Sequence, residues 1–162
     1  ICNGFQALVK LGLVPYGDIR PMDDECPTLT FNTIGRHQSR LVRTRVASNL
    51  SPWLSQCEPG DIHTVAISHG EGRFVCSPEL QHQLEVTGRI ATQYVDEAGQ
   101  PSMDWDVNPN GSVMAIEGIT SPDGRVLGKM GHVERRGDGL YKNVPGNKFM
   151  PLFESGVKYF TD

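Results

Sequence analysis

Glycine and proline constrain this chain more than any other feature. Eighteen glycines and eleven prolines sit among 162 residues, roughly 18% where an average domain has about 12%. Few stretches escape them for long, so the chain should build short elements joined by many turns rather than long helices. An apolar fraction of 38%, brought near the globular average by the glycines, still permits a packed core. The length suits one domain of ordinary size, or the larger part of one.

Fifteen basic groups against nineteen acidic ones leave a net charge of −4. A mildly acidic chain is a poor match for nucleic acid or a membrane surface. No run of 18 apolar residues exists, so nothing is expected to span a bilayer. The cysteines Cys2, Cys26, Cys57 and Cys76 form no CxxC pair, and no metal site is expected without short-spaced ligands. A disulfide framework is not expected at this cysteine density either, which points to a reducing, cytoplasmic compartment. The chain opens on Ile1-Cys2-Asn3-Gly4 without a starter Met or a signal peptide. It is therefore expected to be cut from something longer.

Residues 3–11 set Phe5, Leu8, Val9 and Leu11 at helical spacing, and Gly12 follows as a stop. The stretch 15–27 reads as an exposed loop. From Leu41 to Val46 the pattern alternates, with Val42, Thr44 and Val46 on one face and Arg43 and Arg45 on the other. A second strand is predicted over 63–68, running into Gly70-Glu71-Gly72. Ser77-Pro78-Glu79 then signals the start of a helix that Gly88 closes. Strands are predicted over 90–95, 113–119 and 126–132, the last two joined by a Pro122-Asp123-Gly124 turn. Pro151 opens a final helix with Leu152, Phe153, Val157 and Phe160 along one stripe. Helices and strands at both ends, with a meander between, suit an α/β sheet carrying inserted β-hairpins. The first helix has no strand before it, which suggests a missing upstream half.

Three features carry chemistry. Cys2 precedes a small residue and a helix, the sequence shape of a nucleophile elbow, where the positive end of a helix favours thiolate over thiol. A lone Cys before a helix is more often a small buried apolar residue. His132 and Glu134 stand two apart, so on an extended segment they share a side while Val133 turns to the core. A carboxylate so placed fixes the tautomer of a base and leaves its other nitrogen free; the alternative is a surface His beside charged Arg135 and Arg136. Ser68-His69-Gly70-Glu71-Gly72 ends a strand in polar residues and glycines, which suits a small ligand or an ordinary tight turn. The cluster Arg36, His37, Arg40, Arg43 and Arg45 reads as a solvated strand face. Cys26, Cys57, Cys76, His63 and His82 read as structural.

Taken together, these features resemble a class I (triad) glutamine amidotransferase domain. Segments such as ICNGFQAL, RHQSRLVRTRVASNLSPWL, HTVAISHGEGRF and NPNGSVMAIEGITSPDGRVLGKMGH look like the glutaminase domain of phosphoribosylformylglycinamidine synthases of the large single-chain form. The resemblance extends over nearly the whole chain, 1–162, as the C-terminal part of one glutaminase domain. It implies a partial flavodoxin-like fold, a mixed sheet whose N-terminal strands are missing. Residue by residue, it implies Cys2 as nucleophile, His132 as general base and acid, and Glu134 as the orienting carboxylate. Gln6, His69 and Gly70 match positions around the glutamine substrate, and the N–H of Asn3 matches one oxyanion donor. Phe5 and Val133 depart from the usual residues at their positions.

The implied reaction is glutamine amide hydrolysis that supplies ammonia to a synthetase domain of the same parent chain. That synthetase uses ATP and Mg²⁺ to convert formylglycinamide ribonucleotide to its amidine, in purine biosynthesis; no cofactor is implied for these residues. As an isolated piece the chain is expected to be inactive or nearly so, with half its oxyanion hole absent. A cysteine peptidase of related fold and a non-catalytic docking domain are the alternatives.

Overall fold

A computed structural model describes residues 1–161. Helix α1 (Asn3–Leu11) starts directly after Cys2 and stops where Gly12 turns left-handed at φ 86°, returning its N–H to Val9. A short α2 (Leu13–Tyr16) leads into the loop that precedes β1 (Thr28–Thr30). The alternating segment becomes β2 (Gln38–Val46), with Val42, Thr44 and Val46 buried as the pattern requires. Next come β3 (Ile62–His69), β4 (Arg73–Val75) and α3 (Pro78–Val86), where the Ser77 side chain caps the Leu80 N–H. Then follow β5 (Ile90–Tyr94), β6 (Ile116–Thr120), β7 (Leu127–Lys129) and α4 (Leu152–Thr161).

Five strands make one sheet in the order β3-β2-β5-β6-β7, and β1 pairs with β4 in a separate ribbon. The class is α/β, as expected. Every described pairing is antiparallel, so the parallel strands of a mixed sheet are not among the described residues. The inserted hairpin is β6–β7, whose turn is held by the Ser121 hydroxyl, which donates to Asp123 and accepts from the Val126 N–H. Consecutive residues of β5 serve opposite faces: Ile90 packs with Phe5, Phe74 and Leu84, while Ala91 packs with Val46, Leu54 and Met150.

Two expectations change. The predicted strand at 113–119 begins as a 3₁₀ turn, Val113–Ala115, because Met114 and Ala115 take φ of 51° and 54°. Just before it, the buried Ser112 hydroxyl donates to Gly72 and accepts from Phe74, which ties the segment to the β3–β4 turn before β6 can start. In α4 the large residues do not form an inward stripe: Leu152 is buried, but Phe153, Val157 and Phe160 are exposed. The helix docks instead through Ser155 and Gly156, and a Cβ on Gly156 would overlap the Trp53 ring. That approach leaves no room for bulky side chains.

The sheet curls until its two edge strands face each other. Three residues beyond β7, His132 forms an antiparallel bridge with Ala66 of β3. The seam between β7 and β3 is also where Cys2 lies, its N–H on Lys129 and its thiol near Ser68.

Candidate active site

Cys2 sits at φ 53°, ψ −111°, a conformation a side-chain-bearing residue adopts only at a cost of about 1–3 kcal/mol. Its surroundings hold it there from both sides of the seam. The Cys2 N–H donates to the Lys129 carbonyl of β7 at 2.8 Å, and the Cys2 carbonyl accepts from Gln6 at 3.1 Å. The thiol points to the other side, 3.7 Å from the Ser68 carbonyl of β3. Asn3 and Gly4 are exposed in the first turn of α1, where backbone N–H groups have no intrahelical partner. A Cβ on Gly4 would meet nothing within 4 Å, so the ground beside the helix start is open.

His132 reaches the same strand edge. Its N–H donates to the Ala66 carbonyl at 2.8 Å, two residues before the Ser68 carbonyl that faces Cys2, or about 7 Å along a strand. The two residues, separated by most of the sequence, therefore abut one short piece of β3. Val133 is buried, and Glu134 returns to the imidazole, its Oε1 2.5 Å from Nδ1. Partial burial works against ionising Glu134. The hydrogen bond from His132, its own backbone N–H and the charges of His132 and Arg135 outweigh this and hold its pKa below the ordinary glutamate value. With Nδ1 engaged, Nε2 is buried without a hydrogen-bond partner. A carboxylate, an oriented imidazole with one free nitrogen and a thiol on a residue of positive φ therefore lie along the same strand edge.

The β3–β4 turn joins the same site. The Gln6 side-chain amide donates to the Glu71 carbonyl at 2.5 Å, so α1 and the turn touch. His69 is buried, its Nδ1 3.3 Å from Asn32 Oδ1 and its Nε2 without a partner. Burial first, then the neighbouring His37 and His132 charges, push its pKa down to about 4, so the ring is neutral at physiological pH. Gly72 is required here, since a Cβ would run into the His69 ring. Gly70 accepts from the Asn32 N–H at 2.9 Å.

Sequence reasoning missed the residues that shape this turn. Asn32 donates to His69 and Arg36 carbonyls and accepts from Gly72 N–H. Asn110 donates to Gly72 and Tyr94. Neither carries a local signal, because all their partners but one lie far off in sequence. The arginine-rich face behaves largely as a strand surface: Arg40 donates to the Asp106 carbonyl and Arg45 to Gln93. His37 differs, with Nε2 3.0 Å from the Ser68 hydroxyl at the edge of the site. Burial raises the Cys57 and Cys76 thiols to about 11, which leaves them poor nucleophiles. Among the described residues, no group of three or more His, Cys, Asp or Glu could hold a metal ion, and no helix is long and apolar enough to cross a membrane.

Cys2 and the Glu134-paired His132 thus stand along one edge of β3, and comparison with known families gives the class of the chain. Residues 1–160 match the CobB/CobQ-like glutamine amidotransferase domain, and the chain belongs to that family. Among curated proteins, it is 36% identical over 160 residues to the phosphoribosylformylglycinamidine synthase subunit PurQ of Synechococcus sp. (strain JA-2-3B'a(2-13)), covering 99% of this chain and 60% of that one. Among solved structures, it resembles a chain of PurLQS from Thermotoga maritima with a TM-score of 0.68 and 26% identity, covering 98% of this chain and 59% of that one. The chain thus spans about three fifths of the length of the relatives it matches.

Proposed function

We propose that this chain is the glutaminase part of a phosphoribosylformylglycinamidine synthase of the large single-chain form, working in the cytoplasm with a synthetase domain on the same parent chain. The thiolate of Cys2 attacks the side-chain amide carbon of glutamine. His132 Nε2 delivers a proton to the departing nitrogen, which leaves as ammonia while the acyl group remains as a thioester on Cys2. The same nitrogen then takes a proton from water as it attacks the thioester, releasing glutamate and returning the thiol. Glu134 keeps Nδ1 protonated and the ring aimed. The Asn3 N–H serves the tetrahedral oxyanion, a kind of contact worth several kcal/mol. Gln6, His69 and Gly70 line the glutamine pocket. The ammonia passes to the synthetase, where ATP and Mg²⁺ drive amidination of formylglycinamide ribonucleotide; no step on this chain involves them.

The observation that supports the reading best is the seam: Cys2 and His132 meet β3 at Ser68 and Ala66, with Glu134 already on Nδ1. Family membership and the PurQ relative make glutamine hydrolysis the fitting chemistry for that geometry. The test is Cys2→Ala in the full chain. Glutamine-dependent synthesis should fall by at least about 10⁴-fold, while synthesis from added ammonia continues. Loss of both, or survival of both, overturns the assignment.

A further inference from the structure

Directly behind the seam lies a pair of charges that the reaction does not use. Glu117 of β6 and Lys129 of β7 are both completely buried, with Lys129 Nζ 3.0 Å from Glu117 Oε1. Each neighbour in this cluster is specific. Lys129 Nζ also donates to the Gly131 carbonyl at 3.1 Å. The Gly131 N–H donates to Glu117 Oε1, and the Thr92 hydroxyl donates to Oε2. Burial alone would favour a protonated Glu117, but the Lys129 charge and the Thr92 and Gly131 hydrogen bonds hold its pKa below the ordinary value, so it stays ionised.

Stability is a weak reason to keep such a pair, because well-packed apolar residues often replace a buried ion pair with no loss or with a gain. Its contacts give a better one. Both amide groups of Gly131 are gripped, and Gly131 immediately precedes His132. Lys129 supplies, through its own carbonyl, the acceptor for the Cys2 N–H. Gly131 is fitted to the cluster: a Cβ there would lie 2.6 Å from Val65 Cγ2 and 2.8 Å from Glu117 Oε1. One buried ionic cluster is therefore tied to the backbone of both reacting residues, across the point where the chain crosses from β7 to β3.

We propose that Glu117 and Lys129 are positioning residues, which set the approach of the Cys2 thiol to His132 by fixing the crossing between β7 and β3. For its reaction the inference rests on the glutaminase reading; for its geometry it does not. The discriminating variant is E117L/K129M in the full chain, which removes both charges together and frees Gly131. Its melting temperature should stay within about 5 °C of the parent. Its kcat for glutamine hydrolysis should fall about 10- to 100-fold, the scale of a small misplacement of reacting groups, with KM changed less than about threefold. Alkylation of Cys2 by iodoacetamide, followed by mass spectrometry of its peptide, should slow in parallel. E117Q keeps an acceptor for the Gly131 N–H, so this variant should retain kcat within about threefold of the parent.

A double variant with the parental kcat and alkylation rate overturns the proposal. If the double variant does not fold, T92V loosens the carboxylate by one hydrogen bond, and an unchanged alkylation rate there overturns it equally. Should the parent chain fail to hydrolyse glutamine, the reaction assignment falls, while the alkylation comparison still decides the positioning role.

Discussion

Helices α1 and α4 have nearly the same length, nine and ten residues, and each spaces large apolar side chains at helical intervals. Helix α1 turns Phe5 and Val9 into the core, where Phe5 stacks with Phe74 at 6.4 Å between ring centroids and its ring occupies the space a Gly128 Cβ would need. Helix α4 does the reverse: Phe153, Val157 and Phe160 face outward, Gly156 faces Trp53, and the buried Ser155 hydroxyl accepts from the Gln56 N–H. Apolar spacing thus identifies a helix without saying which face docks. That choice belongs to the partner. A shallow surface such as Gly128 accepts a ring, while a bulky one such as Trp53 accepts only small residues. The difference bears on the proposed function, because the deeply packed helix is the one that starts at Cys2, the proposed nucleophile.

The sharpest test of this contrast is Phe5→Ala. Removing a fully buried ring that spans α1, β4 and β7 should destabilise the protein by about 3–5 kcal/mol. Because Phe5 lies three residues from Cys2, glutamine hydrolysis should fall along with the melting temperature even where most molecules remain folded. Denaturant melts and initial rates on the same sample check this; a variant that loses less than about 1 kcal/mol would show that α1 is not anchored as described.

Acid should separate the two helices next. His69, whose turn contacts α1 through Gln6, ionises at about 4 in the folded state, against an ordinary value of 6.5. The unfolded chain binds that proton below pH 6.5 while the folded chain refuses it until about pH 4. Stability is therefore complete above pH 6.5 and should decline by about 3 kcal/mol as the pH falls to 4. His63 is shifted in the same direction, chiefly by burial. Hydrogen exchange at pH 7 and pH 5 should show protection lost in α1 and the β3–β4 turn before α4. Equal loss in both helices would remove the contrast.

Much of this was legible where the physics is local. The start and stop of α1, the Ser77 cap of α3, the alternation of β2 and the shared side of His132 and Glu134 all follow from residues a few positions apart. The positive φ of Cys2 is different, because Lys129 and Ser68 hold that residue from far along the chain. What stayed hidden depends on contacts across the sheet. Asn32 and Asn110 shape the β3–β4 turn from distant loops, and no nearby residue announces them. Glu117 and Lys129 drew no reading from the sequence, because a period-2 pattern does not distinguish an exposed side from one that the curled sheet closes over. The outward stripe of α4 was misjudged for a related reason, since the partner surface, not the helix, excluded it.

The smallest expected effect concerns that stripe. Val157 is 64% and Phe160 78% exposed, so replacing both with Ser removes little area that folding takes out of water. Surface substitutions of this kind usually change stability by no more than about 0.5 kcal/mol, and Gly156 keeps its contact with Trp53 in the variant. The expected result is a melting temperature close to the parent and an unaltered rate of Cys2 alkylation. A drop of more than about 1.5 kcal/mol would mean that the outward face is packed against something in solution, since burying a single Val or Phe side chain is worth about that much. The two helices would then differ in what covers them rather than in whether they are covered.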